Sequence, residues 1–192
     1  MPRPKTRSDQ DLLAIAHSLI HAEGPEALTF GRLARACGLA APTLVQRFRS
    51  KAGLLRATLF HAWDRLDAET ATLAAAHPRS PEGAIALLVA LSGGYGGIDS
   101  YARGLLVLRE DLRDPVLRAR GAAWKAALSD SLEACFAGIP QAPAGIGLLM
   151  ASQWQGALIW WGFDPQGTLR AHVEASLNRF VAAILRPRPA GP

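Results

Sequence analysis

The chain has 192 residues, 49% of them hydrophobic and 19% charged, with a formal net charge of +5. That much apolar material buries a large core, so a disordered chain is excluded and one small module plus one larger domain is a natural partition. The two cysteines, Cys37 and Cys135, lie far apart without CxxC spacing, which suggests neither a zinc ribbon nor a disulfide framework.

Basicity is concentrated at the start. Residues 1–51 hold eight Lys/Arg against four Asp/Glu, a balance of +4, while the remaining thirteen basic and twelve acidic residues add +1. An electrostatic footprint for phosphates has this distribution. The opening MPRPKTR is basic and LLAIAHSLI is apolar, but Asp9 and Asp11 interrupt the approach and His17 and His21 punctuate the stretch, unlike a secretory leader. A cytoplasmic protein is expected. The basic start reads either as an arm able to lie in a minor groove or as a solvated terminus.

An upstream amphipathic helix ends in AEGPEALT. Residues 29–51, TFGRLARACGLAAPTLVQRFRSK, then read as two short helices joined by a glycine turn, with a basic segment opening a further helix. Thr29 is a good N-cap, and Phe30, Leu33, Ala34 and Cys37 share one buried face. Gly38 ends this helix where a positive φ is cheapest, Leu39 plugs the corner, and Pro42 sits in a first turn that tolerates a missing N–H. Leu44 and Phe48 point inward, leaving Gln46, Arg47 and Arg49 on a face that in a helix-turn-helix enters the major groove.

These residues, from the upstream helix through LARACGLAAPTLVQRFRSKAGLL, resemble the tetracycline-repressor (TetR) family of bacterial transcription regulators in helix order and spacing. Beyond them the chain matches in layout only. The resemblance implies an all-α fold. Residues 1–51 would form a helix-turn-helix DNA-binding domain with a basic arm, 52–186 a helical effector-binding and dimerisation domain, and 187–192 a tail. It implies a ligand-responsive regulator, a repressor rather than an activator, binding a palindromic double-stranded DNA operator as a homodimer. The expected contact residues are Thr29, Ala41, Pro42, Thr43, Gln46, Arg47, Arg49 and Lys51, with Thr29 and Lys51 at helix N-termini facing phosphates. Two departures stand out: the family usually has tyrosine where this chain has Val45, and often an aromatic or histidine at Arg47. Val45 donates no hydrogen bond, so the phosphate grip or operator choice must differ.

The rest of the chain reads as helices between breakers: residues 52–76, 82–92, 100–112, 115–137, 144–163 and 166–185, with GGYGG at 93–97 as one break. The first of these spans roughly 37 Å at about 1.5 Å per residue, long enough to link a DNA module to a distant pocket. Residues 145–163 approach a membrane span in length, but Ser152, Gln153 and Gln155 at the centre argue against lipid, and a helix apolar nearly all round is expected to be covered on both sides. Ala151 and Gly156 would permit close helix approach. With a last-helix stripe of Leu169, Val173, Leu177, Phe180 and Ile184, the pair suggests a four-helix dimer interface using Ala151, Gln155, Leu158, Leu169, Val173, Leu177 and Phe180. The alternative is that both stripes pack within one subunit.

A small-molecule effector is expected among the aromatics, with Trp63, Tyr95, Tyr101, Arg109, Trp124, Gln153, Trp154 and Trp160 as candidate pocket residues. Core packing competes as an explanation for each aromatic. Enzyme chemistry is not expected: GGYGG lacks the GK[ST] of a phosphate loop, and Glu110 and Asp111 are adjacent and point to different faces. His17 and His21 are one turn apart, but no Glu completes an HExxH pattern and both are expected to face solvent. No metal or cofactor is expected. The rival reading is an all-α small-molecule-binding protein whose helix-turn-helix is only structural.

Overall fold

The computed structural model describes residues 7–94 and 96–186. The expected arm, Tyr95 and the tail at 187–192 fall outside these residues. The described chain is all-helical, without a strand: α1 (Asp9–Glu23), α2 (Phe30–Cys37), α3 (Ala41–Phe48), α4 (Lys51–Ala76), α5 (Pro81–Leu91), α6 (Ile98–Arg113), α7 (Pro115–Glu133), α8 (Ile146–Phe163) and α9 (Leu169–Ile184). Each start has a local cause. Ser8 and Asp11 form a capping box on α1, Ser80 caps α5 with Pro81 in its first turn, and Thr168 caps α9. At α7 the Asp114 carboxylate accepts from the Val116 N–H at 2.9 Å, and Pro115 occupies the first helical position.

The chain forms two compact units, one of residues up to 66 with 99–122, the other of 67–98 with 123 onward. The first is organised around a cluster of fully buried side chains: Leu12, Ala16 and Ile20 of α1, Leu33 of α2, Leu44 of α3 and Leu54 of α4. Further along α4, the Trp63 indole N–H donates to Asp111 of α6 at 3.1 Å, and Gly121 of α7 lies against the same ring. Asp111 is only 8% exposed. Burial pushes its carboxyl up to about 6, against the opposing pull of the Trp63 hydrogen bond and with a further push from Glu110.

In the second unit α9 packs against α8 and α5. Two buried tryptophans have their N–H groups satisfied internally: Trp124 donates to Thr70 at 3.0 Å and Trp154 to Ser92 at 2.8 Å. Glu133, at the end of α7, caps α8 by accepting from the N–H groups of Gly145 at 3.1 Å and Gly147 at 2.7 Å. Close backbone approach occurs at Gly147, where a Cβ would lie 2.0 Å from the Ser129 carbonyl. The expected close approach at Gly156 is not found, since that position has open space beside it.

Within the protomer α8 is covered on one side. Met150, Trp154, Ala157, Leu158 and Trp161 are buried, whereas Trp160 and Phe163 are 69% and 78% exposed, with Leu148, Leu149 and Ile159 exposed beside them. Among the described residues no single helix is long and apolar enough to cross a membrane.

Asp111 yields a test of this packing. Its folded pKa is raised, so the carboxyl costs stability above about pH 6 and nothing below its ordinary value of 3.8. Asp111→Asn keeps an acceptor for Trp63 and is expected to raise stability at pH 8 by about 1–3 kcal/mol. Denaturant titrations at pH 8 and pH 4 check this: the gain should shrink towards zero at the lower pH.

Candidate nucleic-acid interface

The helix-turn-helix is built from short-range decisions. The Thr29 hydroxyl accepts from the Arg32 N–H at 3.2 Å and starts α2. Gly38 stops it in the left-handed region at φ 71°, with its N–H returned to the Ala34 carbonyl at 2.9 Å. Pro42 lies in the first turn of α3, and Leu44 is wholly buried beneath it. Buried Leu44 fixes which side of α3 faces out: Pro42, Val45 and Gln46 are exposed, while Ala41 and Thr43 are half-buried.

The exit from α3 is tighter than sequence pattern implies. Arg49 has φ 67° and ψ −50°, and the Ser50 N–H bonds back to the Phe48 carbonyl at 2.7 Å, the geometry of a γ-turn. A non-glycine residue held there carries backbone strain, which surrounding packing must overcome. Ser50 then accepts from the Gly53 N–H at 3.0 Å and starts α4. A Cβ on Gly53 would stand 2.4 Å from the Phe48 carbonyl oxygen, so only glycine fits against this turn. The exposed side chains of Arg49 and Lys51 are thereby set beside the exposed edge of α3.

Three cations of the module have carboxylate partners within it: Arg32 with Glu23, Arg47 with Asp9 at 2.8 Å, and Lys51 with Glu26 at 3.2 Å. Arg47 departs most from its expected outward position. It is half-buried and also donates to the Arg7 carbonyl at 2.9 Å, while Arg7 donates to the Cys37 carbonyl at 2.8 Å. Arg47 thus ties the segment before α1 to α3. Partners 30 and 38 residues apart leave no periodic trace, which is why these links are not visible in the sequence.

The expected pocket residues are divided between the two units, and within the second the Trp124 and Trp154 rings lie 6.4 Å apart. Trp63, Tyr101 and Arg109 belong to the first unit, and Trp124, Gln153, Trp154 and Trp160 to the second. Arg109 is exposed and pairs with Glu110, Gln153 donates to Ser176 at 2.9 Å, and Trp160 faces outward. A hollow of about 210 Å³ in the second unit is lined instead by Ala74, His77, Arg79, Leu87, Ser131 and Cys135. Of the expected interface residues, Ala151, Leu158, Leu169, Val173 and Leu177 are buried inside the protomer, Phe180 is half-buried and Gln155 exposed. A three- and four-residue stripe reports that a helix face is buried, not which chain buries it.

A capped helix, a left-handed glycine corner and a second helix with an exposed polar edge beside basic residues define a helix-turn-helix DNA-binding module. Residues 12–58 match the family model described as "Bacterial regulatory proteins, tetR family". The fold as a whole is similar to a putative TetR-family transcriptional regulator from Rhodococcus sp., with a TM-score of 0.65 and 18% identity over 92% of this chain and 97% of that one. It is also similar to AibR, solved in complex with isovaleryl coenzyme A and operator DNA, with a TM-score of 0.63 and 20% identity over 88% and 96% of the two chains. A putative transcriptional regulator from Saccharomonospora viridis, in complex with choline, gives 0.69 and 20% over 89% and 93%. No curated protein sequence matches. The tetR-family match is carried by residues 12–58, and the remainder of the chain shares the fold of these solved structures.

Two glycines separate the tight turn from ordinary helix. Gly53→Ala is expected to cost about 1–3 kcal/mol, because backbone rather than a flexible side chain occupies the space. Gly31, on α2 with nothing within 4 Å, should accept Ala without loss. Thermal unfolding of the two variants checks the contrast, and equal stabilities would contradict it.

Proposed function

We propose that the protein is a homodimeric, effector-responsive transcriptional repressor that binds a palindromic operator. The exposed edge of α3, set on a wholly buried Leu44 and flanked by exposed Arg49 and Lys51, is the observation that carries this reading. In it, Gln46 reads a base edge, Thr43 and Pro42 approach the groove, and Thr29, Arg49 and Lys51 hold phosphates. Arg47 acts through the segment it anchors. Val45, 42% exposed, offers an apolar contact such as a thymine methyl where relatives offer a tyrosine hydroxyl.

The dimer uses the outward face of α8. Leu148, Ser152, Gln155, Ile159 and Phe163 follow three- and four-residue steps, with the Trp160 ring tilted at 47° and 5.8 Å from Phe163, and an exposed, largely apolar face of this kind suits a second copy. Effector binding belongs to the second unit on this reading. The Trp161 indole N–H is buried there without a hydrogen-bond partner, and a ligand carbonyl or carboxylate would relieve a cost of about 1–3 kcal/mol. Relatives solved with isovaleryl coenzyme A or choline make a small organic effector reasonable, without identifying it.

DNA-binding measurements test the assignment. Gln46→Ala should relax preference at one position per half-site, losing about 1–3 kcal/mol of discrimination, whereas Lys51→Ala should weaken all sequences and flatten the log K against log salt slope by about two units per dimer. A uniform loss for Gln46→Ala, or an unchanged slope for Lys51→Ala, would remove that residue from its role. Trp160→Glu should yield folded monomers in sedimentation, since the side chain is already in solvent within the protomer. Operator affinity should fall as dimerisation is lost, and a variant that remains dimeric would place the interface elsewhere.

A further inference from the structure

The two histidines expected to face solvent are not independent surface groups. His17 is half-buried on α1, His21 lies one turn later, and their Nε2 atoms are 3.0 Å apart. The rings meet edge to face at 74° with centroids 4.4 Å apart, so the nitrogens approach obliquely rather than head-on. Two imidazoles binding one ion at about 2.0–2.1 Å each, with nitrogens 3.0 Å apart, subtend about 94° at the metal. That is close to the right angle between neighbouring ligands of a tetragonal ion and well short of the tetrahedral angle, which favours Cu²⁺ or Ni²⁺ over Zn²⁺.

We propose that His17 and His21 form a two-nitrogen chelate for a tetragonal divalent ion, Cu²⁺ or Ni²⁺, on the first helix of the DNA-binding module. Without metal, one Nε2–H donates to the other Nε2. With metal, that proton moves to Nδ1 of the same ring, both Nε2 lone pairs bind the ion, and no net proton is released from the neutral pair. Among the described residues no group of three or more His, Cys, Asp or Glu is placed to hold a metal, so water fills the remaining positions. Arg65, whose charge acts on both rings, is exposed and long enough to turn to solvent, and it weakens the site without closing it. A chelate across one turn locks α1, whose N-terminus Ser8 caps and whose preceding residue Arg7 is bonded to Cys37 of α2 and Arg47 of α3. The consequence is a DNA-binding module stiffened by a bound metal ion.

Tag-free full-length protein titrated with Ni²⁺ in a calorimeter and with Cu²⁺ under electron paramagnetic resonance provides the test. One ion per chain is expected, with hyperfine structure from two nitrogens and a higher unfolding temperature. His21→Gln, at an exposed position that leaves the core intact, should weaken both ions at least tenfold and remove one nitrogen from the spectrum, and His172→Gln on α9 should change neither. His17→Gln should match His21→Gln. Wild type and His21→Gln with the same affinity and the same spectrum would overturn the proposal, as would no binding at millimolar metal.

Discussion

The carbonyl oxygen of Phe48 occupies the space where residue 53 would carry a side chain, and the orientation of α3 depends on that contact. Because Gly53 lets α4 close against the end of α3, the connection between them shrinks to Arg49 and Ser50, one strained and the other a cap. A two-residue link of this kind has little freedom to swing. Leu44 and Leu54, wholly buried on either side, hold the same angle from below. What faces outward on α3 is therefore determined by apolar packing beneath it rather than by any contact of its own.

Charge works on top of this frame and partly against it. The module's basicity suits a phosphate backbone, yet Arg32, Arg47 and Lys51 each have an acidic partner in the free protein. Exposed pairs of this sort are worth about 0–1 kcal/mol, so a phosphate displaces a carboxylate at small cost. The pairs keep long side chains ordered without holding them from DNA. Arg47 is the exception, because its bonds to the Arg7 carbonyl and to Asp9 at the start of α1 make it part of the scaffold.

Helix positions were legible in the sequence because their signals are local. Thr29, Gly38 and Pro42 act within one turn, and the helix starts expected at 82, 115 and 166 fall within a few residues of those found at Pro81, Pro115 and Leu169. The buried face of the module was legible for the same reason: Leu33, Cys37 and Leu44 fall on helical spacing. Long-range choices were not. Leu169, Val173 and Leu177 make as good a stripe for a partner subunit as for α5 and α8, and only the fold shows that they are covered within the protomer. Trp124 and Trp154 read equally well as pocket or core until Thr70 and Ser92 are seen accepting their N–H groups. The γ-turn at Arg49 left no signal, since arginine is not a residue that announces a positive φ.

The claim on which everything else rests is that α3 reads DNA as one of a symmetric pair. Selection of bound sequences from a random duplex pool by the full-length protein tests it directly. The account predicts an inverted repeat, with half-sites centred about one helical turn, or a multiple of it, apart. Recovery of no enriched sequence, or of a single unrepeated motif bound by one chain, would contradict it.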